Sequence, residues 1–316
     1  MATSLTFDKN DGLSARERAR AMQDRLDIER EPVSYWDMVW FQLRKDKLTL
    51  IAFAILLILS VLSYSSPLIN QYILKADPDE IDLFSTYQAP SKGHWLGLDE
   101  LGRDQLARLL SGGRISLSVG ILGAALIMTI GVFFGAVAGY FGGAMDDVIM
   151  WFINTMSSIP FLLFLIIVCQ LFKPKWYVLV IFIALNAWMG TARLVRGQVL
   201  SVKERDYVLA ARALGVPISR IIASHVLPNV IPIVIIQTAG SIGGLILTES
   251  ALSFLGLGVQ LPTATWGNML TKAQSYFTLG SHLVIFPGLL ITTTVLCLFL
   301  IGDGLRDALD PMMRGR

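Results

Sequence analysis

Of the 316 residues, 54% are hydrophobic and only 16% charged, and the mean hydropathy is +0.60 with a formal net charge of +2. These values exclude an ordinary soluble domain, and the near balance of charge gives no sign of a nucleic-acid binder. Cys169 and Cys297 both fall in apolar stretches without metal-ligand companions, so neither a disulfide framework nor a metal site is expected.

Residues 1–34 are polar and rich in Arg, Asp and Glu, which reads as a tail on the cytoplasmic side. Tyr35, Trp36, Val39, Trp40 and Leu43 then recur at helical spacing before Arg44, Lys45 and Lys47, so residues 35–47 read as a helix lying in the membrane interface. The charged start is too long for a cleavable leader, and Leu48 onward reads as a retained span.

A span needs about 20 mostly apolar residues. Six stretches qualify: Leu48–Leu68, Ile115–Tyr140, Val148–Phe172, Trp176–Ala192, Val230–Thr248 and Leu283–Gly302. The expected fold is therefore an all-α polytopic membrane protein with six transmembrane helices, a five-helix core over 115–302 and a short cytoplasmic tail over 303–316. With the N-terminus inside, nine basic residues precede Leu48, six lie in Arg193–Arg220 and three follow Gly302, against eight elsewhere. That bias places both termini in the cytoplasm.

The outer segment over 69–114 contains His94, Asp99, Glu100 and Asp104. His94 is a candidate ligand and the acids are candidate catalytic groups, but no second histidine or metal spacing accompanies them, so a solvated structural loop is expected. In the second span Gly131, Gly135, Gly139 and Gly143 make a fourfold stripe, which reads as a helix-packing seam, with a narrow part of a substrate path as the alternative. Gly240 and Gly244 repeat it more weakly in the fifth span. None of the six stretches holds Asp, Glu, Lys or Arg in its core, which argues against an ion-coupled transporter.

The segment 193–229 is a hydrophilic, helix-coded interruption between spans. Ser201 followed by Glu204 fits a capping box, Gly215 supplies a left-handed stop, and Pro217 suits the first turn of a second short helix. Tyr207, Ala210, Ala211 and Leu214 fall on one face, whose small centre admits close approach by another protein. An ordinary helical loop is the plainer alternative. The next outer segment, 249–282, is long yet carries only Glu249 and Lys272 as charges. Glu249, Phe254, Gly256 and Trp266 are candidates for a gate or a partner contact, against a hairpin that only covers the bundle. No Gly-rich phosphate loop, nucleophile elbow or paired-histidine motif occurs, so enzymatic chemistry is expected in partners and no cofactor in this chain.

Glu204, Tyr207, Ala210, Ala211 and Gly215, with Leu227-Pro228 beyond them, resemble the "EAA" loop of permease subunits from binding-protein-dependent ABC importers. Further stretches are similar to the "C-type" permease of dipeptide, oligopeptide and nickel importers: His94 through Asp104, Arg114-Ile115-Ser116-Leu117, Arg196-Gly197-Gln198-Val199-Leu200, Glu249 through Gly258, and Gly302 through Pro311. The resemblance runs from about residue 35 to the C-terminus. It implies the ABC type I importer fold, a homologous B-type permease as partner, two cytoplasmic ATPases carrying ATP and Mg, an extracytoplasmic substrate-binding protein, and a place in a bacterial membrane. It also implies that residues around 201–215 couple the ATPases to the bundle. Leu209 stands where many members of the family carry Glu, which shifts any acidic contact to Glu204 or Asp206. Peptides are the implied cargo, with nickel chelates, glutathione or oligosaccharides as alternatives.

Overall fold

The computed structural model describes residues 35–309, so the polar tail over 1–34 and the last part of the C-terminal tail lie outside the described residues. Helix α1 (Tyr35–Lys45) buries Val39 and leaves Trp40 and Phe41 exposed beneath the Arg44 and Lys45 side chains. Asp46 caps α2 (Lys47–Tyr64) by accepting from the Leu48 amide at 3.0 Å and from the Thr49 hydroxyl.

Asp104 caps α3 (Gln105–Phe141) through the Ala107 amide at 2.8 Å, and the helix ends at Gly142, whose φ of +66° an L side chain rarely adopts. Gly131, Gly135 and Gly139 all face α6 (Trp176–Lys203). A Cβ at Gly135 would lie 2.5 Å from the Ala192 carbonyl oxygen, so the two backbones meet where only glycine fits. Gly143 is not part of that seam. It lies beyond the end of α3, at the start of α4 (Gly143–Ser157), with φ +52° and open space around it. A Cβ at Gly240 or Gly244 likewise meets nothing within 4 Å among the described residues.

The third expected span is two helices. α4 and α5 (Phe161–Phe172) are bent by 72° across Ser158–Pro160, because Pro160 has no amide to continue the ladder. The fourth helix does not stop at Ala192 but runs to Lys203, 28 residues or about 42 Å, and its last turns project past a bilayer core of about 30 Å. The fifth, α8 (Ile218–Phe254), is also longer than its apolar stretch and contains a π-helical turn at Ile222–Val226. Outside it, α9 (Ala273–Leu279) leads into α10 (His282–Leu309). Among the described residues, five helices are long and apolar enough to cross a membrane, and the bent α4–α5 pair makes a sixth.

These longer helices carry charges into the spans that the apolar stretches did not show. Arg193 lies within α6, and Glu249 lies within α8 rather than in an outer loop. Three apolar clusters hold the bundle together. One joins α3 to α6 with α8, one joins the ends of α3, α6 and α8 next to Glu204, and one packs Leu109 and Leu117 of α3, Ile246 of α8 and Ile291 of α10 around Trp266.

Candidate functional site

At the end of the bundle that carries the polar interruption, α6 breaks at Glu204 and Arg205, and helix α7 (Asp206–Ala213) begins with Arg205 as its extended N-cap residue. The expected capping box is therefore absent. Ser201 belongs to the last turn of α6 and Glu204 is that helix's C-cap, since the helix from the membrane continues through the site where a new one was expected to begin.

The other end of α7 matches the turn chemistry of its residues. Gly215 has φ +76°, its amide donates to the Arg212 carbonyl at 3.1 Å, and the Val216 amide donates to the Ala211 carbonyl at 3.1 Å. This is the paired bonding of a Schellman stop, which satisfies the last carbonyls of the helix. Pro217 is the N-cap residue of the next helical turn rather than part of it, and that turn is not a separate short helix but the start of α8.

The face of α7 differs from expectation at one position. Tyr207, Ala210 and Leu214 are exposed, Leu214 to 85%, but Ala211 is 8% exposed and turns inward with Val208. Val208 and Ala211 join Val195, Val199 and Val202 of α6, Ala136 of α3, and Ile221, Val226 and Val230 of α8 in one apolar cluster. An outward face of Glu204, Asp206, Tyr207, Ala210, Leu214, Gly215 and Pro217 is thus mounted on an inward face that grips three spans.

Two further contacts lock this region. Arg196 binds Asp146 through two hydrogen bonds of 2.5 Å, Nε to Oδ1 and Nη2 to Oδ2, which ties α6 to α4. Lys203 Nζ donates to the Gly139 carbonyl at 2.9 Å, tying α6 to α3. Neither lysine nor aspartate stood out in the sequence, because each looked like one more charge at a membrane boundary.

At the opposite end of the bundle the four gate candidates divide. Phe254 and Gly256 are exposed, Gly256 with φ +75°. Glu249 and Trp266 are 0% and 1% exposed, so neither offers a surface to a partner. Glu249 Oε1 instead accepts from Ser253 Oγ at 2.6 Å and Thr265 Oγ1 at 2.9 Å, while Trp266 donates from Nε1 to the Leu109 carbonyl at 2.9 Å. Together they staple the outer hairpin to α8 and α3.

The outer segment around Asp99 is not a solvated loop. Asp99 pairs with Arg103 at 2.7 Å and lies 3.6 Å from Arg108 Nε, and His94 Nδ1 meets Asp104 at 2.9 Å, with Asp99, Arg103, Asp104 and Arg108 all buried. Lys272 reaches across from the other outer segment to Glu100 at 2.8 Å. These groups are consumed in holding the loop. Among the described residues no cluster of His, Cys, Asp and Glu fits a metal ion.

Residues 131–315 match the family described as the binding-protein-dependent transport system inner membrane component, and residues 34–90 match the N-terminal TM domain of oligopeptide transport permease C. The chain is 46% identical to the oligopeptide transport system permease protein OppC of Haemophilus influenzae over 70% of this chain and 71% of that one. It is 38% identical to the dipeptide transport system permease protein DppC of Bacillus subtilis, covering 91% and 89% of the two chains. It is 35% identical to the glutathione transport system permease protein GsiD of Pectobacterium atrosepticum, covering 94% and 98%. With a helical bundle of five long apolar helices and a bent pair, the chain belongs to the binding-protein-dependent transport system inner membrane components, as a multi-pass, non-catalytic permease subunit of an ABC importer.

Proposed function

We propose that this permease carries di- and oligopeptides, and that α7 is the helix through which cytoplasmic ATPases drive it. The observation that carries the second half is the double-sided construction of α7: exposed Tyr207, Ala210 and Leu214 outside, and Val208 with Ala211 inside, in one cluster with three spans. The peptide assignment rests on relatives named for oligopeptides and dipeptides over most of their length.

In this reading the chain forms half of the path and a homologous B-type permease forms the other half. Both termini are cytoplasmic, ATP and Mg bind the two ATPases, and a binding protein delivers the peptide outside. Closure of the ATPases moves α7, and the inner ends of α3, α6 and α8 follow because Val208 and Ala211 are packed in one apolar cluster with them. Substrate is released and readmitted by that alternation.

The test is uptake in proteoliposomes containing both permeases, both ATPases and the binding protein. Labelled tripeptide is expected to accumulate only with ATP inside and binding protein outside. Uptake of glutathione, for which one relative is named, in preference to tripeptide would replace the peptide assignment.

A further inference from the structure

Arg193 lies 17 residues into α6, about 26 Å from its outer end and so still within a bilayer core of about 30 Å. Its Nη2 donates to Ser157 Oγ at 2.8 Å and to Asn154 Oδ1 at 3.3 Å, and no carboxylate pairs with it among the described residues. Asp146, on the same helix as Asn154 and Ser157, is already held by Arg196. A guanidinium has five donors, so most of this one is free to bind something else.

The surroundings are open and polar. Asn186, Gly190, Arg193 and Gly197 fall at successive turns on one face of α6, exposed or half-buried, and a Cβ at Gly190 or Gly197 would touch nothing within 4 Å. Opposite, Asn154, Ser157 and Ser158 are exposed at the end of α4, where the span bends by 72°. An arginine at this depth facing acyl chains is costly, and such residues turn toward a bundle interior or a water-filled path. This face is therefore not a lipid surface.

We infer that Arg193, held by Asn154 and Ser157, is a substrate-meeting station that binds the carboxylate of a passing peptide. The inference rests on the peptide reading above. A carboxylate is the chemistry that fits: the free N–H groups of a guanidinium match it in a planar fork, and serine and asparagine beside it supply neutral polar partners for the adjoining amide.

The experiment uses the complete complex in proteoliposomes, with a tripeptide and its C-terminal amide that the wild-type complex takes up, each saturating the binding protein. Arg193→Gln is expected to lower uptake of the free acid about tenfold, the equivalent of one charge-assisted hydrogen bond, with the amide changed less than about twofold. Arg193→Lys keeps the charge and is expected to restore a large part of the loss. Asn154→Asp places a carboxylate beside the guanidinium and is expected to give the same selective loss with the arginine in place, so the result does not depend on one variant assembling. Equal loss of both peptides in assembled complexes, or loss of neither, overturns the inference. Failure of the wild-type complex to carry any peptide is a different result and overturns the peptide reading itself.

Discussion

The Lys203 ammonium, in the last turn of α6, donates to the carbonyl oxygen of Gly139, in the last turn of α3, at 2.9 Å. It satisfies a carbonyl left without a partner by the helix end at Phe141, and it does so one residue before α6 breaks toward α7. Lys203→Met is expected to destabilise the protein by about 1–2 kcal/mol, as loss of a hydrogen bond from a charged donor. Thermal unfolding followed by circular dichroism in detergent measures it, and an unchanged midpoint would show that water replaces the ammonium without loss.

Gly215 has open space around it, so only its φ of +76° resists substitution. Gly215→Val is expected to cost about 1–2 kcal/mol in the turn and to reduce transport per ATP hydrolysed, whereas Gly215→Asn, which tolerates left-handed backbone, should stay near wild type. The ratio of uptake to hydrolysis in proteoliposomes separates the two. Equal behaviour of Val and Asn would mean that the turn geometry does not matter for coupling.

The seam between α3 and α6 gives a harder constraint. A Cβ at Gly135 meets the Ala192 carbonyl at 2.5 Å and one at Gly139 meets the Arg196 carbonyl at 2.9 Å, and backbone cannot swing aside as a side chain does. Gly135→Leu is expected to cost at least about 1–3 kcal/mol through overpacking and to lower the yield of assembled complex on gel filtration. Gly240→Ala, whose Cβ meets nothing within 4 Å among the described residues, serves as the contrasting substitution within the monomer.

The pair of outer segments has a pH limit. A hydrogen bond from Lys272 to Glu100 holds the Lys272 ammonium above its usual range, and burial followed by a hydrogen bond to Glu100 pushes the Tyr276 phenol up as well. Both folded-state values are raised, so the folded protein favours the protonated forms. Their contribution is complete below the unfolded values of about 10 and is lost as pH rises beyond them. Unfolding midpoints are expected to fall as pH rises above about 10, and Glu100→Gln should flatten that fall. An identical alkaline profile in the variant would show that Glu100 does not set it.

Six apolar stretches, the short polar helix between spans and its left-handed stop were legible because each depends on local chemistry: span length, helical spacing and a glycine at one φ. What the sequence hid follows from helices that outrun their apolar stretches. Arg193 follows a hydrophobic run that ends at Ala192, so it looked cytoplasmic, yet α6 continues for another ten residues beyond it. Glu249 looked like the first residue of a loop because it is charged, but Ser253 and Thr265 supply the hydrogen bonds that let it stay inside. The inward turn of Ala211 was hidden for a different reason. A helix of 8 residues has more than one small-residue face, and only the position of α6 and α8 decides which is covered.

The contrast between Ala210 and Ala211 offers the most direct test of the coupling role of α7. Ala210 is exposed and Ala211 is buried against the spans, so a charge at 210 strikes a docked partner and spares the fold. ATP hydrolysis stimulated by binding protein, and peptide uptake, would be measured for Ala210→Glu in the full complex. The expected result is a folded permease that either loses its ATPase subunits or retains them with both activities reduced at least about tenfold, as for a buried unpaired charge at an interface. Retention of the ATPases with hydrolysis and uptake at wild-type levels would contradict it.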